Sequence, residues 1–184
     1  MVAWFTAYLE WLRTSKHGRE ESAAKNNHGT WFDAQTARLA LCLGRNEAAR
    51  GILEEAKQRR IAVQIGPDGR QPLELARTAS LSYSRFNLEG LSELATLGEH
   101  AGVDLWHYTT PSGRSIRRAL EFLLPYVDRP AKKWPYEQIK EKHESDFLPI
   151  LQQAALAYDA PEFERVIAKY ADAPSKRFQL LCAR

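Results

Sequence analysis

Two stretches of this chain carry residue types that stand out in an otherwise helical scaffold. The first is Asn26-Asn27-His28-Gly29-Thr30-Trp31, which sets two amides and an imidazole at the mouth of an apolar helix. The second is Arg77-Thr78-Ala79-Ser80-Leu81-Ser82-Tyr83-Ser84 followed by Phe86-Asn87. Tyr83 and Asn87 are four apart there and share one helix face. Arg77 stands just ahead of the helix start, so its guanidinium can bend back over the first turn. One reaction type suits an Asn, His, Arg and Tyr set: β-elimination on a uronic acid residue of a polysaccharide. The proton at C5 is α to a carboxylate, so its removal builds a second negative charge onto a group that already carries one. Arg and Asn neutralise that charge through charge-assisted hydrogen bonds. A base must take the C5 proton, and an acid must protonate the leaving oxygen at O4. Tyrosine serves as base when a neighbouring cation lowers its pKa from about 10. Histidine is a base itself, or polarises the tyrosine hydroxyl.

Each of these residues also has a structural reading. Asn27 or Thr30 can satisfy the free backbone N–H groups of a helix start, leaving His28 an ordinary loop residue. Tyr83 can be a core aromatic whose hydroxyl finds a partner, with Arg77 paired to Glu74 and Asn87 a satisfied polar group. Other chemistries find less support. No pair of carboxylates stands out for glycoside hydrolysis. Ser80, Ser82 and Ser84 lack a nucleophile elbow, the five histidines form no tight metal pair, and no Gly-rich phosphate loop exists. The reading therefore calls for no cofactor and no metal.

The elements that must hold these residues are helical nearly throughout. Trp4, Tyr8, Trp11 and Leu12 predict an amphipathic helix over about 2–14, and polar Ser15 to His28 reads as a loop. An apolar helix follows from near Thr30, with Gly44 as its C-terminal stop and Asn46 capping a helix over about 47–64. Gly66-Pro67-Asp68-Gly69 is a turn. Ser80 is placed as the cap of a helix over about 81–100, ended by Gly102. An aromatic loop from Val103 to Gly113 holds Trp106 and Tyr108. A helix over about 114–126 keeps Arg114, Arg117 and Arg118 outside. A connection over about 129–136 and two helices near 143–158 and 161–171 complete the chain. About seven helices and no convincing strand read as stacked antiparallel hairpins within a single domain over residues 1–184.

At 184 residues the chain can bury a real core, and 44% hydrophobic with 27% charged residues is ordinary for a globular protein. A net charge of +3 is too small to argue for nucleic acid and only mildly favours an acidic partner. No apolar run is long enough to cross a bilayer. Cys42 and Cys182 match no metal spacing and read as inert thiols. Glu10 and Arg13 interrupt the apolar N-terminus, and no small-residue cleavage site follows.

Asn26-Asn27-His28-Gly29-Thr30-Trp31-Phe32-Asp33, Gln71-Pro72-Leu73-Glu74-Leu75-Ala76-Arg77-Thr78 and Tyr83-Ser84-Arg85-Phe86-Asn87-Leu88 together resemble the alginate lyase family of helical-toroid polysaccharide lyases. Asp104-Leu105-Trp106 and the helix from Ala119 to Tyr126 add to the resemblance, which runs from about Trp4 to about Tyr136. It implies an all-α fold, an incomplete (α/α) toroid of helical hairpins, and a lyase acting on alginate or a related polyuronate. It also implies that Asn27 and Arg77 neutralise the substrate carboxylate and that His28 and Tyr83 are the proton-transfer pair. Tyr83 is then the acid, and also the base when both transfers occur on one face of the sugar. Asn26, Trp31, Glu74 and Asn87 are placed as weaker substrate contacts. Family members are longer on the N-terminal side, so the chain reads as a C-terminal half without its N-terminal half. The helix faces so exposed invite self-association. The family implies a periplasmic or secreted location, whereas the chain, if complete as given, reads as cytoplasmic. The competing expectations are an inactive module that holds uronate through Arg77 and the aromatic loop, and a purely structural helical protein.

Overall fold

The structure is a computed structural model and describes residues 1–128, 133–141 and 143–170. It is all-α. The successive helices are α1 (Val2–Thr14), α2 (Lys16–Ala23), α3 (Asn27–Cys42), α4 (Asn46–Ala56), a π-helical turn (Lys57–Ile61), α5 (Ala62–Gln64), α6 (Pro72–Leu75), α7 (Ser80–Ala101), α8 (Ile116–Asp128), α9 (Leu148–Tyr158) and α10 (Pro161–Ala168). Among the described residues the β pairing is a single antiparallel bridge between Ala79 and Gln138.

Helices α3 and α7 form the heart of the molecule. They pack on each other, α4 lies against both, and α8 and α9 flank α7. Ala34, Ala37, Leu53, Leu81, Leu88, Leu91 and Leu94 are buried in this layer. The small alanines of α3 let the facing helices approach closely, while the leucines of α7 fill the space. Helix α7 ends where Gly102 takes the left-handed conformation at φ 68°, the usual way a long helix is stopped. On α1, Trp4, Tyr8 and Trp11 stack in a row, with ring centroids 5.2 and 6.1 Å apart, and both tryptophans are exposed.

Several elements depart from the sequence reading. The stretch from Ser15 to His28 is not a loop throughout: it contains α2, capped by the Ser15 hydroxyl, which accepts from the Gly18 N–H at 3.0 Å. Of the α2 residues only Gly18 is buried, so no apolar stripe announces the helix. It forms because its cap is supplied locally and its ends are fastened to α1 and α3. Helix α3 begins at Asn27, not Thr30, with Asn26 as its N-cap.

Asn46 and Ser80 do not cap. Each is the first residue of its helix. The Ser80 hydroxyl instead donates to the Glu137 carbonyl at 2.6 Å and accepts from the Trp134 indole at 2.7 Å. The expected 47–64 helix is interrupted by the π turn, which shifts the helical phase and buries both Arg60 and Ile61. Arg114 does not stay outside. Its guanidinium donates to the carbonyls of Ala62 and Ile65 at 2.9 and 3.1 Å, taking up the free acceptors at the end of α5. The expected 143–158 helix is a 3-10 turn (Glu144–Phe147) followed by α9. Part of the 129–136 connection, the end of the 161–171 helix and Cys182 lie outside the described residues.

Candidate active site

The first motif is held from behind by buried polar groups. Asp33, one turn and a half into α3, and Arg60 of the π turn form an ion pair at 2.7 and 3.1 Å, with both side chains only 2–3% exposed. The same guanidinium donates to the carbonyls of Ser22 and Ala24 at 2.8 and 2.7 Å. One buried cation thus ties the end of α2, the α2–α3 link and α3 together. Gly29 is the residue that permits this: a Cβ there would lie 2.1 Å from the Ala24 carbonyl oxygen and 2.3 Å from the Arg60 guanidinium. Beside it, Gln64 donates to the Asn26 carbonyl at 3.2 Å and accepts from Thr30 at 2.9 Å and from Asn87 at 2.8 Å.

These contacts place the two amides differently. Asn26 caps α3, its side chain accepting from the His28 N–H at 3.3 Å. Asn27 is 3% exposed and is gripped by Glu74, whose two carboxylate oxygens accept from the Asn27 backbone N–H at 2.7 Å and from its side-chain amide at 2.8 Å. A carboxylate can only accept, so it orients the Asn27 amide with its nitrogen inward. Burial pushes the Glu74 carboxyl above its ordinary value. The two Asn27 hydrogen bonds and the nearby charges of Arg77 and His28 pull it part of the way back.

His28 is the next residue and faces solvent. Its Nδ1 lies 3.0 Å from a carboxylate oxygen of Glu21 on α2. With Nδ1–H donating to that carboxylate, Nε2 is left with its lone pair. On α7, Tyr83 is partly buried, and the Arg77 guanidinium sits over its ring at 4.0 Å from the centroid. Asn27, His28, Tyr83, Glu21 and Trp31 all line one open cleft of about 830 Å³. Arg77 does not line it and reaches it through the tyrosine ring. Trp31 belongs to the cleft wall, stacked on Phe86 with centroids 5.0 Å apart and its indole N–H donating to the Phe86 carbonyl at 3.2 Å.

Four expected contacts fall elsewhere. Glu74 and Asn87, at 1% and 0% exposure, sit behind the cleft and cannot touch a sugar. Asn87 shares a helix side with Tyr83 but points into a polar core, donating to Gln64 and Gln71, each at 2.8 Å. The Arg77–Glu74 pairing is replaced by the Asn27–Glu74 grip. In the aromatic loop, Trp106 is 3% exposed and packs edge-on against Tyr158, so it offers no sugar platform. Conversely, Glu21, Arg60, Gln64 and Gln71 support the site and were not singled out by the sequence reading. Only the Gln71-to-Thr78 stretch hinted at any of them.

Among the described residues, no group of three His, Cys, Asp or Glu converges to hold a metal ion, and no helix is long and apolar enough to cross a membrane. Asn27, His28 and Tyr83 thus meet in one cleft of an all-α array, with Arg77 stacked on the tyrosine. The chain belongs to the alginate lyase family, whose model matches residues 1–134. It is similar to an alginate lyase from Bacteroides ovatus known from a crystal structure at 1.60 Å, with 40% sequence identity and a TM-score of 0.88 over 92% of this chain. The match covers 45% of that protein, so the chain spans less than half of its length. None of the curated proteins matches it.

Proposed function

We propose that this protein is a polysaccharide lyase that cleaves alginate, or a related polyuronate, by β-elimination. The observation that carries the reading is the convergence of Asn27, His28 and Tyr83 on one cleft, with the Arg77 cation stacked on Tyr83. The substrate uronate binds with its carboxylate beside Asn27, whose second Nδ2 hydrogen is not taken by Glu74, and the Arg77 cation acts through the Tyr83 ring, so both offset the charge that grows as C5 loses its proton. Glu74 fixes the Asn27 amide in advance, so no reorganisation is needed at the moment of reaction.

The proton at C5 passes to Tyr83 or to Nε2 of His28, and the electron pair forms the C4–C5 double bond. The C4–O4 bond breaks, and the Tyr83 hydroxyl returns a proton to O4. The products are a new reducing end and an unsaturated uronate. When both transfers occur on one face of the sugar, Tyr83 performs both. When they occur on opposite faces, His28 is the base. The Glu21 carboxylate suits that role, because it orients the imidazole and stabilises the cation formed as His28 accepts a proton. A periplasmic or secreted location goes with such a substrate.

Incubation with polymannuronate, polyguluronate and glucuronan, followed by ultraviolet absorbance of the unsaturated product, tests the reading. Absorbance growing with at least one polymer is the expected result. Silence with all of them, at high protein and across pH, removes it.

A further inference from the structure

The cleft does not end at the catalytic residues. It continues along α3 past Trp31 to Gln35 and Arg38, and meets α7 again at Glu93. His28, Trp31, Gln35 and Arg38 are spaced three, four and three residues apart, which puts them on one stripe of the helix. At 1.5 Å per residue, Arg38 lies about 16 Å along the helix from Asn27. That is too far for it to serve the sugar being cleaved, and far enough for a neighbouring part of the same polymer.

We infer that this stripe of α3 is an extended binding track, on which the Arg38 guanidinium takes the carboxylate of a second uronate residue remote from the scissile bond. The inference rests on the polyuronate reading above and deepens it. The track has the parts an acidic sugar chain needs. Trp31, stacked on Phe86, gives an aromatic wall for the apolar C–H face of a pyranose. Gln35 donates to the Tyr8 hydroxyl at 3.1 Å and keeps its amide oxygen for a sugar hydroxyl. Arg38 is 60% exposed and hydrogen-bonds Glu93 through one Nη2 hydrogen, so the other Nη2 hydrogen and an adjacent N–H remain for a two-point contact with a carboxylate.

Glu93 gives the idea a sharp signature. Its carboxylate steadies the guanidinium but also opposes an arriving anion. If the pair were only structural, removing either partner would have the same effect. If Arg38 binds uronate, the two removals act in opposite directions. Arg38 is exposed and Glu93 partly so, at 21%, and thermal unfolding of both variants checks that each keeps its fold.

Affinity is measured by titration calorimetry with saturated oligouronates from disaccharide to octasaccharide, in a Tyr83→Phe background that prevents turnover. Adding Arg38→Gln lowers the octasaccharide affinity about tenfold and flattens the rise of affinity with length. Adding Glu93→Gln steepens that rise, and Arg50→Gln, a charge-matched change on exposed α4 surface, leaves it as it was. An equal loss at every length, no loss at any, a loss from both Arg38→Gln and Glu93→Gln, or no binding at all overturns the track. Turnover of polymer by the unsubstituted protein is followed in parallel. Turnover without an Arg38 effect sinks the track alone. A length-dependent Arg38 effect without turnover sinks the lyase reading alone.

Discussion

Glu74 accepts two hydrogen bonds from Asn27, at 2.7 and 2.8 Å, across 47 residues of sequence. One bond comes from the backbone and one from the side chain, so a single buried carboxylate sets both the first turn of α3 and the direction of its amide. The same carboxylate feels the charges of Arg77 and His28. It therefore links the two motifs although it lies buried behind the cleft.

Glu74→Gln tests that link. The new amide has one acceptor where two donors arrive, so one Asn27 donor meets an N–H instead of an oxygen. The expected result is a loss of turnover of up to about 10²-fold, from a misplaced Asn27, with the helix content of the protein retained. Steady-state kinetics and circular dichroism check it. Unchanged kcat and KM would show that Asn27 needs no such orientation.

The same residue gives a pH dependence. Because burial raises the folded Glu74 value above its unfolded one, its contribution to stability is present below the ordinary glutamate range and is lost as pH rises through the raised value. Thermal unfolding of the unsubstituted protein should therefore gain on Glu74→Gln as pH falls from neutral into the ordinary glutamate range. Protonation also removes one of the two acceptors offered to Asn27, so turnover should fall over the same interval. A stability difference between the two proteins that does not vary with pH would refute this.

Tyr83→Phe removes the hydroxyl and little else, since the ring keeps its place under Arg77. Turnover should drop roughly 10²–10⁴-fold while oligouronate binding survives. Calorimetry beside the absorbance assay separates the two. Residual activity near that of the unsubstituted protein would move the acid to another group.

Glu21→Ala releases the His28 ring. Both partners of this pair are about half exposed, at 54% and 50%, so stability should hardly change. Turnover should fall up to about 10²-fold on a substrate that requires His28 as base, and much less on one that Tyr83 can process unaided. Comparison of polymannuronate with polyguluronate reads this directly. An equal loss on both would point to a role for Glu21 other than orienting His28.

Arg60→Met leaves Asp33 charged and buried and frees the carbonyls of Ser22 and Ala24. A loss of about 3–5 kcal/mol is expected in chemical denaturation, the cost of breaking a buried pair. Gly29→Ala strikes the same spot by steric conflict and should also destabilise. If Arg60→Met unfolds at the same denaturant concentration, the clamp does not hold the loop.

The parts of the protein legible from the chain alone were those that depend on neighbours in sequence. The apolar spacing of α1, α3 and α7 is local, and so are the turn at Gly66 to Gly69 and the stop at Gly102. The Asn27-His28 and Arg77–Tyr83 motifs are short and ordered. Tertiary structure decided which side chains face the cleft and which face each other. Helix α2 has no apolar stripe to reveal it, so Glu21 could not be placed beside His28. The π turn shifts the helical phase by an amount that no periodicity predicts, and only that shift brings Arg60 to Asp33. Asn87 and Tyr83 lie on adjoining directions of α7, and the packing of α5 and α6 against it sent one into the core and left the other in the cleft. Periodicity tells which side of a helix is apolar. The partner of a buried polar group depends on how distant helices cross, and that is settled only when they pack.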